Sequence, residues 1–326
     1  MIRIPLDRMN RIATLAILPL MALAVVLASR VAGKTVTAPL PHEGLLVVAQ
    51  LRGDALMTFD LAHGGASKTL ALAGPPHELA EAGGRLYATL EVGDAVVEVE
   101  PGVPAVLRTL PMDGWPHGLA IDGQWLLVSV DKANELARIE RSSMTEVSTR
   151  STGATPHVVA VADGTAYVAD AGDNTVRSIA PDGSQKTTTT GSQPEAIALA
   201  GGYVVTGNAS GGTLTVVRRD TFQVARTIAV GPEPVRVVTL DAQRVLVAMN
   251  TSSRVLQVNV ATGAIERSIP TLGHPDGICL SPSREYVAIA SNAGGAVQFF
   301  RLADWAPAGT LAAGDGPGSC IWMAAP

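Results

Sequence analysis

The stretch WPHGLAIDG, Trp115 to Gly123, decides the fold because it recurs. PPHELAEAGG (Pro75 to Gly84) stands forty residues before it, and TPHVVAVADG (Thr155 to Gly164) stands forty residues after it. Prolines ahead of short apolar runs fall at Pro76, Pro116, Pro156, Pro194, Pro234, Pro275 and Pro317, with successive spacings of 40, 40, 38, 40, 41 and 42. Each unit reads the same way: a Gly-rich lead, the proline, a run such as GLAI, a turn such as DG or GG, and a second run such as QWLLVSV. A third run such as ELARIE and a more polar fourth such as TEVSTRST complete it.

These runs are about five residues long, rich in Val, Leu, Ile, Thr and Tyr, and separated by Asp-Gly, Gly-Gly or Asn-containing turns, which is the signal of strands joined by hairpins. Four strands per forty-residue unit predict an all-β chain folded as a β-propeller. A lone four-stranded sheet exposes two apolar faces, and stacking blades in a ring buries both. Six units run complete from about Gly74 onward, and a fragment is left at each end. GLLVVAQLRGDALMTFDLAHGGASKTLALA (Gly44 to Ala73) supplies second, third and fourth strands without a first, whereas DGPGSCIWM (Asp315 to Met323) is a first strand with nothing after it. Joined, they make a seventh four-stranded blade, so the C-terminal strand closes the ring by joining the N-terminal blade.

AYVADAGDNTVRSIAPDG (Ala166 to Gly183) resembles the YVTN-type β-propeller repeat, with Tyr167, Val168, Ala169 and Asp170 at the signature and Asn174 to Val176 as its NTV. The other units match more loosely, and the resemblance covers the whole region after Pro39. It implies a bacterial exported seven-bladed propeller. More distantly it is similar to propellers of the streptogramin-lyase and gluconolactonase kind, which implies a metal-dependent enzyme as the alternative to a binding scaffold.

The first 38 residues read differently. Arg3, Arg8 and Arg11 precede IATLAILPLMALAVVLA (Ile12 to Ala28), seventeen residues without a charge. This is the pattern of an export signal, either cleaved after Ala28 or kept as an anchor in the inner membrane, with residues 39–326 on the far side. No Cys follows the run, which excludes a lipobox anchor. The expected location is periplasmic or extracellular. A net charge of −5 with no Lys/Arg cluster excludes nucleic acid as partner, and the expected state is a monomer.

In a propeller the first strand of each blade lines the central channel, and the residue after the repeat proline lies at its top mouth. Round the ring these residues are His77, His117, His157, Glu195, Val235, Asp276 and Gly318. Three imidazoles from successive blades with two carboxylates form a donor set for a divalent metal such as Zn²⁺, Cu²⁺ or Fe²⁺, so the candidate metal or ligand residues are His77, His117, His157, Glu195 and Asp276. Duplication alone also repeats a His without chemistry, and both readings stand at the level of sequence. His42 belongs to the opposite face, His63 to an outer loop, and His274 stands just before its repeat proline.

A second ring, at or beside the end of each second strand, holds Gln50, Glu91, Asp131, Asp170, Asn208, Asn250 and Asn292. Either it is a polar rim around the mouth, or it is turn chemistry in which Asn and Asp bond their own backbone. Trp115 either covers the mouth or packs between blades. Cys279 and Cys320 fall on the innermost strands of neighbouring blades, where an oxidising compartment would join them; two buried thiols are the alternative. No G-x-S-x-G, H-E-x-x-H, C-x-x-C-H or phosphate-binding glycine loop is present, so no catalytic residue is assigned. What the sequence predicts is a propeller binding a protein or small molecule across its top face through a His-lined site. If Glu195 or Asp276 served as base to a bound metal, the protein would be an enzyme instead.

Overall fold

The computed structural model describes residues 39–325; the predicted export segment, Ile12 to Ala28, lies outside the described residues. Among the described residues no helix is long and apolar enough to cross a membrane. Twenty-eight strands form seven four-stranded antiparallel sheets, a seven-bladed β-propeller.

Blade 1 is the split one: β1 (Leu45–Gln50), β2 (Ala55–Asp60) and β3 (Ala66–Ala71) are completed on the inside by β28 (Pro317–Met323). The pairing runs Leu45↔Met323, Val47↔Ile321 and Val48↔Cys320, so the two chain ends share one antiparallel ladder. The six other blades are continuous in sequence. Their innermost strands are β4 (Pro76–Ala82), β8 (Pro116–Asp122), β12 (Pro156–Ala162), β16 (Pro194–Ala200), β20 (Pro234–Thr239) and β24 (Pro275–Leu280). These touch in ring order, with β28 lying between β24 and β4.

Side chains of the second and third strands fill the space between blades. Val205, Leu214 and Val216 of blade 5, for example, pack with Val245, Val247 and Leu256 of blade 6. The fourth strands carry the solvent face, as in β3, whose SKT segment is exposed. Alternating apolar patterns and Gly-rich turns therefore produce sheets that are stable only in company.

Blades 7 and 1 are locked by a disulfide between Cys279 on β24 and Cys320 on β28, Cα atoms 5.8 Å apart. The inner strands come close here: a Cβ on Gly277 would meet the carbonyl oxygen of Gly318 at 2.0 Å, so only glycine fits. Around the bridge pack Phe299, Trp322, Leu46 and Val48, and the Trp322 indole donates to the Glu43 carbonyl at 2.8 Å.

The bridge closes a loop spanning 41 residues, so opening it by reduction or by Cys320→Ser is expected to cost on the order of 4 kcal/mol of stability. Chemical denaturation with and without reductant checks this, and equal midpoints would contradict it.

Candidate functional site

The local geometry of every blade aims the residue after its repeat proline at the channel. In all seven blades the pairing of first and second strand slips by one residue just past that proline, for example between Pro76 and Leu79, Pro116 and Leu119, and Pro156 and Val159. Such a bulge re-aims a side chain out of the regular alternation. The residue before the proline adopts a left-handed backbone in six blades, among them Trp115 (φ 66°), Thr155 (52°) and His274 (56°). Its carbonyl then accepts an N–H from the end of the second strand, as from Asp131 N to Trp115 O at 3.0 Å and from Ala171 N to Thr155 O at 2.9 Å. The blade carrying His77 has Pro75 at this place, and proline cannot take a positive φ.

The three histidines meet. The His117 ring lies between the other two, 3.8 Å from the His77 centroid and 3.6 Å from that of His157, while His77 and His157 are 6.1 Å apart. His117 is only 2% exposed; His77 keeps 29% of its side chain open to the mouth. A hydrogen-bond relay holds their blades in step. Thr89 Oγ1 accepts from Glu78 N at 3.0 Å and donates to the His117 carbonyl at 2.7 Å. Ser129 Oγ accepts from Gly118 N at 2.7 Å and donates to the His157 carbonyl. The next blade has Ala169 at the equivalent place, and there the His157 ring itself takes over, Nδ1 donating to the Glu195 carbonyl at 2.9 Å. A carbonyl can only accept, so the His157 lone pair sits on Nε2.

All three rings are held neutral. Burial pushes the His77 pKa down to about 4, with Arg236 adding to the effect. Burial likewise lowers His157 to about 4, helped by His77, and places His117 well below the usual histidine range. Neutral imidazoles keep the lone pairs that a metal requires. Nδ1 of both His77 and His117 is buried without a hydrogen-bond partner.

The third donor comes from the other ring of residues. Glu91 Oε2 lies 3.8 Å from His77 Nε2, and ligand atoms of His77, Glu91 and His117 all fall within 4.8 Å of one another. Burial, then Asp131, raises the Glu91 pKa, while Lys132 opposes them. Two imidazoles and a carboxylate fit Zn²⁺ or a similar ion; its edge-to-edge donor distance is about 3.3 Å, so the side chains would draw in by roughly 0.5 to 1.5 Å.

The other predicted residues are placed differently. The Glu195 carboxylate accepts from Gln193 Nε2 and lines a mouth-side pocket of about 520 Å³ with Glu233, Val235 and Asn250. Asp276 lies 3.4 Å from Arg236 Nη2. Neither carboxylate joins the cluster of His77, Glu91 and His117. The second ring is not a uniform rim. Gln50, Asp170 and Asn208 are buried: Asp170 binds Arg177 Nε at 3.1 Å and Thr175, and Asn208 is held by Thr206, Thr213 and Thr215. Short side chains at a hairpin end satisfy their own loop, which accounts for Asp170 and Asn208, whereas both amide atoms of Gln50 are buried without a partner. Asn250 contacts His274 Nδ1 at 2.9 Å, Asn292 accepts from Arg52, and Asp131 stands half-buried beside Lys132. The Lys132 ammonium sits 3.5 Å over the Trp115 ring. His42 and His63 are exposed.

Two channel residues escaped the sequence reading. Buried Glu78, on β4, pairs with Arg236 Nη1 of β20 across the channel, and Ser319 Oγ of β28 lies 3.5 Å from Glu78 Oε2. A signal existed: two places after the repeat prolines stand Glu78, Gly118, Val158, Ala196, Arg236, Gly277 and Ser319, one acid and one base among otherwise small, apolar or neutral residues.

No protein-family model matches the chain, and no curated protein matches it significantly in sequence. Solved structures do resemble it in fold. A functionally unknown protein from Desulfotomaculum acetoxidans aligns at TM-score 0.73 and 15% identity over 87% of this chain and all of that one. Apo AztD from Citrobacter koseri aligns at 0.68 and 12% over 86% and 98%. A streptogramin B lyase aligns at 0.66 and 12% over 78% and 89%. At such identities the likeness defines the class of protein, a seven-bladed β-propeller, and nothing narrower.

The histidines give a pH dependence of known sign. The unfolded chain binds protons at its histidines below about 6.5 while the folded His77 and His157 do not until about 4, so they withdraw stability as pH falls through that window. Glu91 and Glu195, both raised, act in the opposite direction. The expected result is that His157→Gln, whose amide can still donate to the Glu195 carbonyl, flattens the loss of thermal midpoint between pH 6.5 and 4 in chelator. Parallel profiles for variant and wild type would contradict it.

Proposed function

We propose that the protein is an exported YVTN-type propeller that binds a divalent transition metal at the top of its channel through His77, Glu91 and His117. His157 buttresses the set. The observation that carries this reading is the convergence of three neutral imidazoles, two with orphaned nitrogens, at positions where the fold does not require histidine: the matched sites elsewhere hold Glu195, Val235, Asp276 and Gly318.

Duplication explains the forty-residue spacing, but burying unpartnered nitrogen has a free-energy cost that an occupant would remove. Three protein donors, with His77 and Glu91 partly open, leave a coordination position toward the mouth. There a small molecule or a side chain from a protein partner would bind. Zn²⁺ and Cu²⁺ suit imidazole better than Mg²⁺ or Ca²⁺ would. A binding role is favoured over lyase or lactonase chemistry because the two carboxylates expected to act as base are engaged elsewhere: Asp276 faces Arg236, and Glu195 is held by Gln193. Export is supported by the Arg-flanked apolar run Ile12 to Ala28 and by the Cys279–Cys320 disulfide, which suits an oxidising compartment.

Metal analysis of the purified chain after Zn²⁺ loading and gel filtration tests the site. One equivalent is expected in wild type, with His117→Ala retaining less than a tenth of it. Metal-free wild type, or equal loading of the variant, would overturn the reading. A phosphatase reporter fused after Pro326 should be active only outside the cytoplasm; an inactive fusion would count against export.

A further inference from the structure

Buried Glu78 is the channel residue whose surroundings point furthest beyond the metal donors themselves. It directly follows His77 on β4. Adjacent residues on a regular strand point to opposite faces, but the bulge between Pro76 and Leu79 turns both toward the axis. His77 therefore has a carboxylate at each end of its ring. Nε2 faces Glu91 Oε2 at 3.8 Å, and Nδ1 faces Glu78 Oε1 at 3.9 Å.

We propose, building on the metal reading, that Glu78 is the positioning carboxylate of this centre: when Nε2 of His77 ligates the ion, Nδ1–H donates to Glu78, and Arg236 holds Glu78 in place across the channel. A metal-bound imidazole commonly gives its other N–H to a carboxylate or carbonyl, which fixes its tautomer and strengthens it as a ligand. His157 already shows that polarity, its Nδ1–H on the Glu195 carbonyl. His77 has the acceptor at hand but not yet in contact, and its Nδ1 is one of the buried orphans. Closing 3.9 Å to a charge-assisted bond of about 2.8 Å takes roughly 1 Å. That is the order of movement by which the three donors must contract around an ion.

Glu78 has the capacity. A carboxylate offers about four lone-pair sites; Arg236 Nη1 takes one at Oε1, and Ser319 Oγ stands at 3.5 Å from Oε2. Among the described residues Arg236 is also the only guanidinium reaching this carboxylate, and it is anchored on its other side by Asp276 at 3.4 Å. The chain His77–Glu78–Arg236–Asp276 thus runs from the proposed metal position in blade 2 to blades 6 and 7, and its hydrogen-bonded link from Arg236 to His77 passes through Glu78. His117 has no such acceptor: its Nδ1 is orphaned and no carboxylate forms a salt-bridge contact with it among the described residues.

The test measures Zn²⁺ affinity by chelator competition and the Co²⁺ absorption spectrum for wild type, Glu78→Gln, Glu78→Asp and Asp241→Asn, the last a surface control whose carboxylate pairs with Arg244 and accepts from the backbone of its own turn. Glu78→Gln should keep one-to-one stoichiometry but bind roughly 10- to 100-fold more weakly. Glu78→Asp should recover part of the loss, and the control should match wild type. Wild type that binds while Glu78→Gln stays within twofold of it would overturn this inference and leave the metal site standing; wild type that binds no metal removes both. Should Glu78→Gln fail to fold, nitrogen-15 spectra of Zn²⁺-loaded wild type decide. Metal on Nε2 of His77 with a protected, downfield Nδ1–H is expected, and metal on Nδ1 would overturn it.

Discussion

The antiparallel ladder between β28 and β1 is the constraint on which the rest depends. A blade of this protein is apolar on both faces through its second and third strands, as Leu246, Val247 and Leu256 of blade 6 illustrate by packing on blades to either side. Six and a fraction such sheets in an open arc would leave two of these faces wet, at about 25 cal/mol for each Å² exposed. Pairing Leu45 with Met323 and Val48 with Cys320 turns the arc into a ring. The disulfide to β24 then secures the strand that does the closing. Any residue that loosens β28 acts on every interface at once.

Closure also creates the polar axis. Seven inner strands converging on one line bring backbone against backbone, tightly enough that a Cβ on Gly118 would sit 2.2 Å from the His157 carbonyl. Groups there lose water and must satisfy one another. Thr89, Ser129 and the His157 ring do so by handing hydrogen bonds from blade to blade, and Glu78, Arg236 and Asp276 do so by charge. The same desolvation keeps the imidazoles neutral, since a proton on any of them would be a charge taken out of water near a buried guanidinium. The packing of the axis and the neutrality of the three rings therefore have one cause. The sandwiched His117, the least exposed of the three rings, is packing and, under the proposed metal reading, also a donor.

Much of this was legible beforehand because it is periodic. Proline spacing gave seven units, the orphan strand DGPGSCIWM implied the split blade, and counting one residue past each proline placed His77, His117 and His157 at one end of one channel. The sequence leaves the second ring open between a polar rim and turn chemistry, and its members divide between different partners. Asp170 and Asn208 are the last residues of their second strands, paired with Pro156 and Pro194, and their short side chains fold back on Thr175, Arg177, Thr213 and Thr215. Glu91 stands one residue later in its blade, past Leu90, which is the residue paired with Pro76, and from there it reaches His77.

The sequence by itself determined the blade, the number of blades and the means of closure, because strand period, turn chemistry and repeat length are local properties that survive without coordinates. Which donors share a point in space was decided only by the tertiary structure. Glu91 rather than Glu195 joins His77 and His117, and Glu78 finds Arg236 158 residues away. The reason is physical: a bulge fixes which way each side chain leaves its strand, and its exact place at the strand end and its local partners then decide whether it stays at home or crosses the channel.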